Sequence, residues 1–99
     1  MNLKTVTSTL GYQQITSLSS STGLTVPTVN AEGLQQQPRM AIIIAESANV
    51  RYRDDGVAPT ASVGMPLAAG VALTFDGDLA KIRFIEQTAS AKLNVLYYA

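Results

Sequence analysis

Histidine, cysteine and tryptophan are absent from this 99-residue chain, and charge is scarce. Lacking histidine removes the commonest general base and the commonest transition-metal ligand. Without cysteine there is no disulfide, no thiolate metal site and no thiol nucleophile. Charged residues make up 14% of the chain, against about 25% in typical soluble domains. The 7 basic residues balance 7 acidic ones, for a formal net charge of +0. A nucleic-acid binder needs a basic stripe to replace phosphate counterions, and a polybasic membrane anchor needs a cluster of cations. This chain offers neither, so no nucleic-acid or membrane partner is expected. No segment approaches the ~20 consecutive apolar residues of a spanning helix. The opening Met1-Asn2-Leu3-Lys4-Thr5 lacks the basic patch and apolar run of a signal peptide, so synthesis in the cytoplasm is expected. A glycine-rich phosphate loop is missing too, because Gly64 and Gly70 have neither the spacing nor a following helix. No cofactor is expected.

Apolar residues, in contrast, reach 46%. At this length there is one domain, able to bury roughly two-thirds of its unfolded surface. Two readings of the low charge compete: a Ser/Thr/Gln-rich soluble surface, or apolar surface covered by neighbouring subunits.

Strand signals recur along the chain. Residues 1–23, rich in Thr, Ser and Gln, read as a polar N-terminal arm or first strand, with Lys4-Thr5-Val6-Thr7-Ser8-Thr9-Leu10 β-favouring. Residues 24–99 read as a single β-sandwich domain. Gly23-Leu24-Thr25-Val26 predicts a short strand ended by Pro27, and Gln35-Gln36-Gln37-Pro38 a polar loop. In Met40-Ala41-Ile42-Ile43-Ile44-Ala45, consecutive isoleucines put apolar groups on both faces, because side chains alternate across a strand. A central strand is expected there, with Ile42 and Ile44 as core or subunit contacts. Val50 and Tyr52 alternate against Asn49, Arg51 and Arg53. Residues 57–66 predict a long connection. Further on, Val71, Leu73 and Phe75 share a face, as do Ile82 and Phe84, and Leu93, Val95 and Tyr97. Short strands with Gly/Pro/Asp turns between them and no helical period predict an all-β fold: a small antiparallel β-sandwich or jelly-roll-like barrel.

Catalysis would have to rest on carboxylates. Asp54 with Asp55, or Asp76 with Asp78, could supply an acid/base pair, but all four stand in turn signatures, and no enzyme is expected. Asp76-Gly77-Asp78 resembles a turn more than a Ca²⁺ loop, which would carry more oxygen ligands at alternating positions. Arg51, Arg53, Asp54 and Asp55 concentrate four charges in five residues. They form salt bridges that fix this strand end or cross to a neighbouring subunit, or else a solvated charge pair. A glycan-binding site, which needs exposed aromatic rings, would have to use Tyr12 and Tyr98, since Tyr52 and Tyr97 alternate inward.

One longer pattern runs through residues 39–99. It comprises an apolar strand; Val50-Arg51-Tyr52-Arg53-Asp54-Asp55-Gly56; Pro59-Thr60; Gly64-Met65-Pro66-Leu67; Asp76-Gly77-Asp78-Leu79; and Leu93-Asn94-Val95-Leu96-Tyr97-Tyr98. In this order and over about 60% of the chain, it resembles small β-sandwich virion structural proteins of tailed bacteriophages. The resemblance implies a non-enzymatic subunit located in the virion, a capsid decoration or cement protein that stabilises the head shell. It implies major capsid protein or other virion proteins as partners, and a homo-oligomer, expected as a trimer at shell three-fold positions. A neck or tail component, or a glycan-binding module on the virion surface, is the alternative.

Overall fold

The computed structural model describes residues 9–31 and 34–99. Among these the chain forms ten strands: β1 (Thr9–Ile15), β2 (Thr22–Gly23), β3 (Val29–Ala31), β4 (Leu34–Gln36), β5 (Met40–Glu46), β6 (Val50–Arg53), β7 (Met65–Leu67), β8 (Ala72–Phe75), β9 (Arg83–Glu86) and β10 (Lys92–Tyr98). The β-branched and aromatic content of β5, β8 and β10 suits a pleated surface, and the alternation within them decides which side faces in.

Two four-stranded sheets result, sheet A in the order β1-β10-β5-β8 and sheet B in the order β2-β9-β6-β7. Every pairing is antiparallel. The short connections β1→β2, β5→β6, β7→β8 and β9→β10 each pass from one sheet to the other, so each strand of sheet A stands over a partner in sheet B. Eight strands in two sheets with this order make a jelly roll. The β3–β4 hairpin is an insertion between β2 and β5.

Ala41, Ile43 and Ala45 from β5 meet Leu93, Val95 and Tyr97 from β10 on the inner side of sheet A; Val50, Leu67 and Phe84 answer from sheet B. Leu18, Leu79, Ile82 and Ala91 close the core from the connections. The Tyr52 and Phe84 rings pack with centroids 5.8 Å apart, within the range that favours aromatic pairs. Tyr97, 1% exposed, donates its hydroxyl to Gln13 Oε1 at 2.6 Å. Gln13 Oε1 also accepts the Thr25 N–H at 3.1 Å. One polar side chain in β1 thus satisfies the buried phenol and fastens the segment after β2. Burial pushes the Tyr97 hydroxyl up to about 12.

The corner between β5 and β6 is held by Asn49. Its carbonyl accepts the Gln87 N–H, and its Oδ1 accepts the Ala69 N–H at 2.9 Å. Three sheet-to-sheet connections therefore meet at one residue.

Of the two readings of residues 1–23, arm or first strand, the described part is strand, and the sandwich begins at Thr9 rather than at residue 24. From Thr9 onward the supposed arm is built into the sandwich: β1 is a full strand of sheet A, Leu18 is wholly buried and β2 joins sheet B. Polar Gln and Thr in β1 suit an edge strand whose outer side meets water, which is why composition alone left both an arm and a strand open. The part of that expectation falling on residues 1–8 lies outside the described residues. Further differences are local: Gln35 and Gln36, expected in a polar loop, belong to β4. The strand expected at residues 23–26 is reduced to Thr22–Gly23, with Leu24 and Val26 packed on the core as irregular chain. The connection expected over residues 57–66 ends in β7, which accommodates Pro66 because it is an edge strand.

Candidate interaction surfaces

Arg51 and Arg53 sit two apart on β6 and so emerge together on the outer face of sheet B, opposite to Val50 and Tyr52. Arg83 stands directly across from Arg53 on β9. Like charges facing across a ladder repel, yet each guanidinium here has its own partner. Arg51 donates from Nε to the Ala61 carbonyl at 3.1 Å and from Nη1 to the Gly64 carbonyl at 2.9 Å. Arg53 forms a fork with Asp55, Nε to Oδ1 at 3.0 Å and Nη2 to Oδ2 at 2.5 Å. Arg83 holds Ser21 through its hydroxyl at 2.6 Å and its carbonyl at 2.7 Å. The Arg53 hydrogen bonds draw the Asp55 carboxyl below its ordinary range and raise the Arg53 guanidinium in turn. Asp54 is exposed and its side chain makes no hydrogen bond or ion pair among the described residues.

These bonds give the charged stretch a structural task. Arg51 reaches across residues 54–64 and ties that loop to β6. Within the loop, Thr60 and Val63 exchange backbone hydrogen bonds, and the Thr60 hydroxyl accepts the N–H groups of Ser62 and Val63. Gly64 closes it at φ 145, and a Cβ there would lie 3.2 Å from Arg51 Cβ, Pro59 Cβ and the Tyr52 carbonyl oxygen. Only glycine suits that backbone and that space. An open hollow of about 230 Å³ lies between Arg53, Asp54, Asp55, Val63, Gly64 and Met65.

The outer face of sheet A has the opposite character. Register places Tyr12, Leu96, Ile42 and Thr74 in one row across all four strands, and Gln14, Asn94, Ile44 and Ala72 in the next. Tyr98 stands beside Met40 in a third row. Tyr12 is 60% exposed, and Ile44 and Leu96 each 37%; Ile42, Met40 and Tyr98 are half-buried. Of the isoleucine run, Ile43 alone enters the core. Ile42 and Ile44 point away from it, as strand alternation requires. Leu96 belongs to this surface as well; its place follows from the same alternation, opposite to Leu93, Val95 and Tyr97. At one side of the face the Tyr12 hydroxyl and Gln14 Nε2 both donate to Asn94 Oδ1, at 2.6 and 3.0 Å, and Asn94 Nδ2 donates to Glu46 Oε1 at 3.0 Å.

Asp78 acts as a turn residue. Asp78 Oδ1 accepts the Ala80 N–H at 2.9 Å, and the Asp78 carbonyl accepts the Lys81 N–H. Gly77 leaves room for the Phe75 ring, whose Cζ would stand 2.6 Å from a Cβ at that position. Among the described residues no three His, Cys, Asp or Glu side chains gather in a geometry that could hold a metal ion. No helix among the described residues is long and apolar enough to cross a membrane. Comparison of the chain with protein-family models, with curated proteins and with solved structures found no match.

Proposed function

We propose that this chain is a non-enzymatic structural subunit of a bacteriophage virion, most consistent with a capsid decoration or cement protein that seats on the head shell and self-associates there. The observation that carries the reading is the outer face of sheet A. Tyr12, Leu96, Ile42 and Ile44 form an apolar surface over adjacent strands of a charge-poor chain. Such surfaces on small soluble domains mark sites covered by a partner. The major capsid protein is the partner proposed for it, because the motif string from Val50 to Tyr98 resembles phage virion subunits. Jelly rolls also recur in viral capsids, a fold-level analogy that supports the reading. Many copies on one particle add weak contacts into firm attachment. The charged stretch at Arg51, Arg53 and Asp55 is left out of this contact, since its hydrogen-bonding capacity is used inside the chain.

The test is binding to capsids stripped of accessory proteins. The unaltered chain saturates the shell at a fixed ratio to capsid protein, while an Ile44→Lys/Leu96→Lys variant loses at least tenfold in affinity without losing its fold. Absence of shell binding, with binding to isolated necks or tails instead, transfers the reading to those parts of the particle.

A glycan-binding role is favoured by one observation of its own. The exposed Tyr12 ring stands next to Gln14, Asn94 and Glu46, fixed by their mutual hydrogen bonds, and sugars stack on such rings while bonding to such side chains. Glycan-array binding that disappears in Tyr12→Ala would place this function ahead of shell binding; Tyr98, half-buried beside Met40, offers less ring surface.

A further inference from the structure

The four edges of the two four-stranded sheets are not equally protected. In sheet B, β2 is two residues long and β7 carries Pro66 at its centre. Shortness and proline both discourage strand addition. In sheet A, β1 is irregular between Thr9 and Gly11, where the register shifts. It is also flanked by residues 25–27: Thr25 bonds to Gln13, and the Pro27 ring lies 3.4 Å from the Cβ position of Gly11. The fourth edge, β8, has none of these devices. Ala72-Leu73-Thr74-Phe75 contains no charge and no proline, and pairs with β5 without a register break from Ala41↔Phe75 to Ile44↔Ala72. Among the described residues, no backbone hydrogen bond from residues 72–75 reaches anything other than β5.

The core is also open along this side. Leu73 and Phe75 point inward but are only half-buried, Val71 is 52% exposed, and Met65, on the sheet-B edge beneath, is 59% exposed. Unpaired backbone and uncovered apolar side chains coincide on one edge.

We propose that β8 pairs antiparallel with β8 of a second copy about a two-fold axis, joining two copies of sheet A into one continuous eight-stranded sheet. The strand is complementary to itself. With Leu73 opposite Leu73, Ala72 faces Thr74 on the outer side, small against small. Val71 then faces Phe75 on the core side, a β-branched residue against an aromatic ring, which is a favourable cross-strand combination. No like charges meet. An identical patch used by both partners is what a two-fold interface requires. This deepens the self-association part of the proposed function and is independent of the shell-binding part. It sets the solution species at two copies, where the resemblance suggested three.

Light scattering during size exclusion tests it. The unaltered chain runs at twice its 10.5 kDa mass. Ala72 and Thr74 are exposed, so Ala72→Lys/Thr74→Lys leaves the core intact but sets lysines against lysines and halves the mass. Ala72→Glu/Thr74→Glu does the same, and mixing the two variants restores the dimer as a heterodimer. Leu96→Gln, two strands in from the edge, keeps the dimer. In the unaltered dimer, the β8 amides that do not bond to β5 are protected from hydrogen exchange. A monomeric wild type at the highest soluble concentration, a lysine variant that stays dimeric, a dimer lost through Leu96→Gln, or unprotected β8 amides in the dimer each overturns the pairing. None of these outcomes touches binding to the shell.

Discussion

The outer face of sheet A carries Tyr12, Leu96, Ile42 and Ile44 in adjacent strands, whereas that of sheet B carries Arg51, Arg53 and Arg83. A surface reader would assign recognition to the arginines, since charge is scarce and they cluster. Their partners say otherwise. Each guanidinium is bonded to a carbonyl, hydroxyl or carboxylate of its own chain, so the charged face stabilises the domain. The apolar face has little such internal use: apart from the Tyr12 hydroxyl, which bonds to Asn94, its side chains point away from the core. Exposed apolar area is costly in water, and this is why the proposed contact is placed on it.

This division is broken most sharply at the Arg51 loop. Gly64→Ala forces a side chain into a backbone region reserved for glycine and into three contacts at 3.2 Å; a loss of about 2–3 kcal/mol is expected, seen as a lowered melting midpoint. Arg51→Ala removes two charge-assisted bonds to the loop carbonyls and should cost about 1.5–3 kcal/mol by denaturant titration, while shell binding per folded molecule stays unchanged. If Arg51→Ala instead abolishes binding at full stability, the assignment of the two faces is reversed.

A pH scan probes the layer between the faces. The Tyr97 hydroxyl is raised from its ordinary value of 10.0 to about 12, because the folded chain disfavours the phenolate. The stabilisation is complete below pH 10 and is lost as pH rises from 10 towards 12, by about 1.4 kcal/mol per unit. Tyr97→Phe should flatten that slope. Asp55 runs the other way. Its carboxyl is lowered by Arg53, so its contribution is present above the ordinary carboxylate range and fades as pH falls through it; Asp55→Asn removes this acid-side dependence. The smallest expected effect on stability is at the apolar face. Leu96→Lys and Ile44→Lys should each stay within about 0.5 kcal/mol of the parent, while together they should weaken the proposed shell binding at least tenfold. A large stability loss there would show that the face belongs to the fold.

Much of the architecture was readable from residues alone. Alternation in Leu93-Asn94-Val95-Leu96-Tyr97 and in Val50-Arg51-Tyr52 fixes which side chains enter the core, because a strand repeats every two residues. The same rule splits the isoleucine run, with Ile43 inward and Ile42 and Ile44 outward. Gln13 as the partner of the buried Tyr97 hydroxyl carried no signal, since the two are 84 positions apart. Nor did Asn49 as the meeting point of three connections. Local periodicity tells a residue which way to face; it cannot say what lies opposite. Strand order, the internal pairing of every sheet-B arginine and the undefended edge at β8 are set by long-range register, and only the folded chain decides them.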